Sequence, residues 1–209
     1  MSIDLTSIGI KKGLKYEVII TTKNQDNSFN AAPFGIISKK NNEIICKIFK
    51  TSKTLQNIIN NKNFIVNITY DPILFTLSTI ENIPSKYYDE NNILKNIDAY
   101  FICDVIDFKE SISHDDPVQE SKASIIIAKV KKIHIKKKYV KPINRGISYL
   151  IESLVNYTRL DIVNEKKQKH YLEEFKESER IIHKVGSLEE KKAINILKEK
   201  IIEKGYKFD

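Results

Sequence analysis

Short apolar runs rich in β-branched residues fill the first two-thirds of the chain, and they constrain its fold more than any other feature. Turn-forming residues such as KNQDNS and NN separate them. The runs are KYEVIITT (15–22), FNAAPFGIIS (29–38), EIICKIFK (43–50), FIVNIT (64–69), DAYFICDVIDFKES (98–111) and SKASIIIAKVKKIHIKKKYV (121–140). About six strands with short connections and few crossover helices predict an antiparallel β-barrel.

The hydrophobic pattern changes at Pro142, from strand-like runs to a helical period of about 3.6 residues. A stripe of apolar residues with that period comprises Ile147, Leu150, Ile151, Leu154 and Val155. Further along, Ser187 and Glu190 stand at the spacing of a capping box. We therefore predict a mainly β protein with α-helices: a barrel at 1–141, and a C-terminal helical appendage at 142–209 that packs on the barrel or on a dimer interface.

A net charge of +8 raises the question of nucleic-acid binding. Part of the excess lies in KVKKIHIKKKYVK, from Lys129 to Lys141, and the rest is lysine scattered among Ile and Asn. A barrel that binds single strands needs aromatic rings interleaved with its cations, and this stretch offers only Tyr139 and His134. We expect solvated surface lysines, with a single-stranded nucleic-acid-binding barrel as an alternative function.

The residues that carry other chemistries are sparse or badly spaced. Cys46 and Cys103 form neither a CxxC pair nor a disulfide framework, which favours buried thiols in a reducing cytoplasm. The histidines are widely separated, and SHDDP (113–117) is typical of a turn rather than of a metal site. No apolar run approaches the ~20 residues of a membrane span, and no signal peptide is recognisable. We expect a cytoplasmic protein without a metal or a membrane partner.

Three hydroxyls and a lysine, Thr51, Ser52, Lys53 and Thr54, precede a short helix that the pattern predicts near 53–61. One hydroxyl is enough to cap a helix, so the others need another explanation. A helix N-terminus offers free N–H groups and a partial positive charge, and phosphate is its common ligand. The stretch therefore predicts an anion site, with plain capping by Ser52 or Thr51 as the simpler alternative.

The second strand contains the unusual segment NAAPFG, from Asn30 to Gly35. Pro33 cannot donate to a ladder, so the strand must bulge or expose an edge there. Small side chains would let a flat ligand approach the backbone closely. The alternative is an edge strand built to avoid aggregation.

Taken in order, a strand, NAAPFG, a second strand, TSKTLQNI and NFIVNIT resemble the flavin-reductase-like FMN-binding split barrels. The chain is more closely similar to an archaeal family of unknown function with that fold. The resemblance implies an FMN cofactor whose phosphate is held by the hydroxyls and lysine of 51–54. Further residues that it implies are Asn30, Ala31, Ala32 and Pro33 along the isoalloxazine, Asn57 and Asn67 as supporting groups, and Thr21 or Thr22 at the ribityl chain or ring.

The resemblance also implies a homodimer with the flavin near the interface. Arg145 and Arg159 are then candidates to complete the site from either subunit, although Arg145 also suits an ordinary surface or helix-start position. The wider family often has an arginine at the phosphate, where this chain has lysines. The implied function is a flavin-dependent oxidoreductase with a nicotinamide donor, an undefined acceptor and no catalytic side chain. An FMN carrier or sensor without catalysis is the alternative.

Overall fold

The computed structural model describes residues 3–80, 83–91, 93–113 and 121–208. His114 and the acidic residues of the predicted SHDDP turn lie outside these ranges. Contacts divide the chain into two compact units, Met1–Ile143 and Asn144–Asp209.

In its described part, the first unit is a closed barrel of six antiparallel strands. The strands are β1 (Lys15–Lys23), β2 (Phe29–Lys40), β3 (Glu43–Phe49), β4 (Asn63–Ile68), β5 (Ala99–Ser113) and β6 (Ser121–Ile135). They follow one another around the barrel in the order β1-β2-β3-β6-β5-β4, so that β1 closes on β4. The predicted antiparallel barrel is confirmed.

The described residues of this unit also form two α-helices, α1 (Lys53–Asn61) and α2 (Pro72–Ile80). The bounds of α1 agree with the predicted helix, which begins after the Ser52 cap and ends at Lys62 in the left-handed conformation. Before α2, the carboxylate of Asp71 accepts the backbone N–H groups of Ile73 and Leu74, at 2.8 and 3.2 Å. These caps fix where each helix begins, because they satisfy N–H groups that have no partner within the helix.

The barrel separates two apolar clusters, because side chains alternate between the faces of a strand. Ile20 belongs to the interior cluster, which also holds both buried thiols and Leu55 and Ile58 of α1. Its neighbour Ile19 belongs to an outer cluster, in which residues of α2 and of the 83–97 segment cover β1 and β2. One end of the interior is therefore closed by α1, and one outer face is covered by chain that follows β4.

The second unit contains α3 (Gly146–Tyr157), α4 (Glu165–Val185) and α5 (Leu188–Glu203). The predicted capping box is confirmed at α5, where the Ser187 hydroxyl accepts the Glu190 N–H and the Glu190 carboxylate accepts the Ser187 N–H. The stripe predicted on α3 is only partly internal. Leu150 is buried, whereas Ile147, Ile151 and Leu154 remain 45, 50 and 44% exposed.

Across the described residues, none of the helices combines the length and the apolar character that a membrane crossing requires.

Candidate functional site

An interruption in strand pairing defines the candidate site. The β1–β2 ladder runs without a break and includes the pair Ile19–Pro33. On its other side, β2 pairs with β3 only from Ile36 to Lys40. Within the described residues, Phe29–Gly35 therefore has strand partners along one edge only. The prediction that the Pro33 strand exposes an edge is confirmed, and the irregular register lies near Ser38 instead.

A buried hydrogen-bond network ties this half-paired strand to α1. The Asn30 amide donates to the Thr54 hydroxyl at 2.9 Å and to the Thr22 hydroxyl at 3.3 Å. The Asn57 amide donates to the same Thr22 hydroxyl at 2.9 Å and to the Asn24 side-chain oxygen at 2.7 Å. All of these side chains are buried. The network thus fixes the first turn of α1 against β1 and β2.

Of the four residues predicted to bind an anion, two form hydrogen bonds within the protein and two are exposed to solvent. The Ser52 hydroxyl accepts the Thr54 N–H at 3.2 Å, which is ordinary N-capping, and its own proton remains available to a ligand. Thr54 is buried against Asn30. Thr51 and Lys53 are exposed. A solvent-facing hydroxyl and ammonium therefore stand at the positive end of α1.

Two cavities meet at Lys53 and Asn24, which line both of them. The first has a volume of about 350 Å³ and an apolar wall formed by Phe29, Ile83 and Tyr88. The Phe29 and Tyr88 rings lie 5.2 Å apart, centroid to centroid. The second, of about 310 Å³, is lined by polar side chains that include Asp26 and Asn57. A ligand with an anionic end and a flat apolar end would match this pair of cavities.

The first cavity contains residues that sequence reasoning missed. Asn24 and Phe29 flank the β1–β2 turn, whereas Ile83 and Tyr88 come from the irregular chain after α2. No motif in the sequence marks the latter two. Only the packing of residues from 83–91 and 93–97 over the outer face of the barrel brings them to this place.

Thr21, Ala31 and Asn67 lie on the outer face of the barrel. Thr21 pairs with Ala31 in the ladder, and the Asn67 amide donates to the Thr21 hydroxyl at 3.2 Å and to the Ile19 carbonyl at 3.0 Å. Thr21 and Asn67 have no exposed surface. The side-chain oxygen of Asn67 has no hydrogen-bond donor among the described residues. The remaining predicted ring contacts, Ala32 and Pro33, are half-buried.

The electrostatics of the two cavities differ. Hydrogen bonds from Ser28, with a smaller contribution from the nearby Lys53 charge, lower the pKa of Asp26. Burial raises the pKa of Tyr88 to about 12, so its phenol is neutral and carries a proton to donate. Both cavities therefore share the ammonium of Lys53, whereas the carboxylate of Asp26 lines only the polar cavity and the neutral hydroxyl of Tyr88 lines only the apolar one.

The predicted arginines belong to the second unit. Arg145 is half-buried directly before α3, and Arg159 is exposed shortly after that helix ends. Of the described residues, no three His, Cys, Asp or Glu side chains are grouped as a metal site would require.

Several cations of the 129–141 stretch have intramolecular partners. Lys137 pairs with Asp98 at 2.5 Å, and Lys131 pairs with Asp104 at 3.3 Å. Lys136 lies 5.5 Å from the centre of the Tyr100 ring, on which His134 also stacks. These contacts favour the interpretation of the 129–141 stretch as solvated protein surface over its interpretation as a face that binds nucleic acid.

Comparison with known proteins finds similar chains in archaea. The uncharacterized protein MJ1453 of Methanocaldococcus jannaschii is 27% identical over 187 residues, which cover 87% of this chain and 95% of that one. The crystal structure of the FMN-bound protein MM1853 of Methanosarcina mazei matches with a TM-score of 0.52 and 28% identity. That match covers 94% of this chain and 99% of the other. Residues 16–183 match the family described as "Protein of unknown function (DUF447) N-terminal domain", and the chain therefore belongs to that family.

Proposed function

We propose that this protein binds FMN at the open side of its barrel and uses it in flavin-reductase-like redox chemistry. The observation that carries the proposal is the junction of β2 and α1. There, a strand with a free edge is tied by Asn30 and Thr54 to a helix whose N-terminus presents a hydroxyl and an ammonium. The related FMN-bound protein of Methanosarcina mazei supports the choice of ligand.

The donor set at α1 fits a phosphate dianion. Thr51, Ser52 and Lys53 supply two hydroxyl protons and a cation beside the positive end of the helix. A hydrogen bond to a charged oxygen contributes about 1.5–3 kcal/mol, and the helix dipole adds roughly 0.3–1 kcal/mol. Two or three such contacts are enough to hold the phosphate of a soluble cofactor.

The free edge of β2 fits the polar rim of a flat ring. Its unpaired N–H and C=O groups are available to donors and acceptors on such a rim. Ala32 and Pro33 carry small side chains that leave the backbone accessible. Thr22, Asn30 and Asn57 act in this proposal through their network, which holds the edge at a fixed position relative to the phosphate site.

The chemistry that FMN supplies at such a site is hydride or electron transfer, and the protein contributes binding, orientation and electrostatics. A backbone N–H directed at the ring tunes it without an acid–base side chain, so we assign no catalytic residue. We propose a nicotinamide as the electron donor. An FMN carrier or sensor is the second candidate, since the residues at the site serve binding equally well in either case.

The proposal includes a homodimer with the flavin near the interface. Phe49 stands two residues before Thr51, and its large apolar side chain is 48% exposed. Arg145 and Arg159 remain candidates to complete the site from either subunit. The dimer is tested by the mass of the protein in solution, compared with that of a Phe49→Ser variant.

The proposed function is tested by titrating the purified protein with FMN and identifying by mass spectrometry any ligand that denaturation releases. We expect a flavin spectrum and tight, saturable binding. Anaerobic bleaching by NADH or NADPH supports the reductase, whereas bleaching by dithionite alone supports the carrier. A protein that stays colourless and does not bind FMN at micromolar concentration contradicts both.

A further inference from the structure

We propose that Tyr88 positions the bound flavin by donating a hydrogen bond to its ring from the apolar cavity. This inference rests on the proposed function and places the ring in the 350 Å³ cavity, which is lined by Phe29, the first residue of the half-paired stretch of β2. Tyr88 belongs to no motif and comes from the chain segment after α2.

The first observation is an unpaired buried hydroxyl. Tyr88 is 5% exposed, and its hydroxyl has no hydrogen-bond partner among the described residues. Buried polar groups are nearly always hydrogen-bonded, because leaving one unpaired forfeits its hydration without compensation. An acceptor on a ligand in the adjoining cavity would remove that cost.

The second observation is the composition of the cavity wall. Phe29, Ile83 and Tyr88 form an apolar side, and Lys53 brings a positive charge to the same cavity. The Phe29 and Tyr88 rings, 5.2 Å apart, give this wall aromatic surface, and an aromatic ring packs favourably with another in an offset or edge-to-face arrangement. The cavity therefore suits a planar ring that carries a polar acceptor and is linked to an anion.

An isoalloxazine meets these requirements, because its ring carries carbonyl oxygens and its side chain ends in the phosphate. Since burial keeps the Tyr88 phenol protonated well above neutral pH, the hydroxyl acts as the donor. Lys53 is the first residue of α1 and lines both cavities, so a phosphate held at the start of α1 and a ring beside Tyr88 would both lie next to the same side chain.

The experiment compares FMN with riboflavin, which has the same ring and no phosphate. One neutral hydrogen bond corresponds to about a two- to tenfold change in affinity. We expect Tyr88→Phe to weaken both flavins by the same factor in that range and to shift the flavin absorption band. Lys53→Gln should weaken FMN by a larger factor than riboflavin, because only FMN carries the phosphate. Tyr87→Phe makes the same chemical change at the half-buried neighbouring residue and serves as the control.

A second measurement separates this role from a purely structural one. Removing an unpaired buried hydroxyl does not destabilise the ligand-free protein, so without flavin the Tm of the Tyr88→Phe variant should equal or exceed that of the wild type. The increase in Tm that added flavin produces should be smaller in the variant than in the wild type. Equal flavin affinity with an unchanged spectrum, or a lower Tm without flavin, overturns the role of Tyr88 while leaving the proposed function intact. A wild-type protein that binds neither flavin overturns the proposed function and this inference together.

Discussion

The side-chain amide of Asn30 donates a 2.9 Å hydrogen bond to the hydroxyl of Thr54. The bond joins the half-paired stretch of β2 to the first turn of α1. It therefore connects the strand proposed to face the flavin ring with the helix proposed to bind the phosphate. Both side chains are buried, so the bond is shielded from competition with water.

Thr54→Val should destabilise the barrel, because it removes the acceptor and leaves Asn30 with its longer 3.3 Å bond to Thr22. A buried donor that loses its partner costs about 1–3 kcal/mol. We expect a decrease of that size in the free energy of unfolding, measured with urea. Thr51→Val makes the same change at an exposed position, and an equal loss in both variants would contradict a special role for the Asn30–Thr54 bond.

Lys53→Gln should lower the affinity for FMN by tenfold or more, since a charged hydrogen bond contributes about 1.5–3 kcal/mol and ~1.4 kcal/mol corresponds to a factor of ten. The salt dependence of binding should weaken at the same time, because one cation near the phosphate is lost. Isothermal titration calorimetry at two salt concentrations measures both effects. Lys39→Gln, at an exposed position of β2, is the matched control. Equal affinities for the two variants would place the phosphate elsewhere.

The stability of the barrel should decrease as the pH rises above about 9. Burial raises the pKa of Cys46 from 9.0 to about 12, that of Tyr88 from 10.0 to about 12, and that of Cys103 above its ordinary value. In this pH window the unfolded chain releases protons that the folded barrel retains, so the free energy of unfolding falls as pH rises toward the folded pKa values. Below the ordinary values both states are protonated, and this contribution does not vary.

The decrease can be assigned by substitution. We would measure the free energy of unfolding with urea for the wild type, Cys46→Ala and Tyr88→Phe at several pH values above 9. This free energy should fall most steeply with pH in the wild type, because each variant lacks one of the retained protons. The same fall with pH in all three proteins would show that other groups cause the loss.

Ser187→Ala should destabilise α5, because it removes the acceptor of the Glu190 N–H in the capping box. Loss of such a cap costs about 0.5–2 kcal/mol. We expect faster hydrogen exchange at the backbone amides of the first turn of α5. The exchange of α1, which has its own Ser52 cap, should remain unchanged and provides an internal reference.

The features that the sequence predicted well depend on neighbouring residues. The β-branched runs and turns predicted the antiparallel barrel, Ser52 marked the start of α1, and Ser187 with Glu190 marked the start of α5. Pro33 predicted the exposed edge of β2, because a residue without an N–H cannot donate to a ladder and is therefore found mainly at sheet edges and bulges. The site residues named from the resemblance remain predictions, although the structure brings Thr22, Asn30, Thr54 and Asn57 into one network.

Other features could not be predicted from local patterns. The helical stripe on α3 predicted only that its residues share a face; in the structure Leu150 is buried, while Ile147, Ile151 and Leu154 are about half exposed. Periodicity shows which residues share a face, but it does not show what covers that face. The sequence likewise did not distinguish the hydroxyl of Ser52 from that of Thr54. In the fold, Ser52 is partly exposed and Thr54 is buried.

The sequence by itself determined the strands, the helices and the caps that begin α1 and α5, since hydrophobic period, capping and turn chemistry act over a few residues. The last strand run was predicted to reach Val140, whereas β6 ends at Ile135. Only the tertiary structure decided that Tyr88 meets Phe29, that Lys53 stands between two cavities, and that Asn30 reaches Thr54. Those contacts arise when the barrel closes and the chain after β4 folds over its outer face. Their energies depend on burial and geometry between distant segments, which no short stretch of sequence specifies.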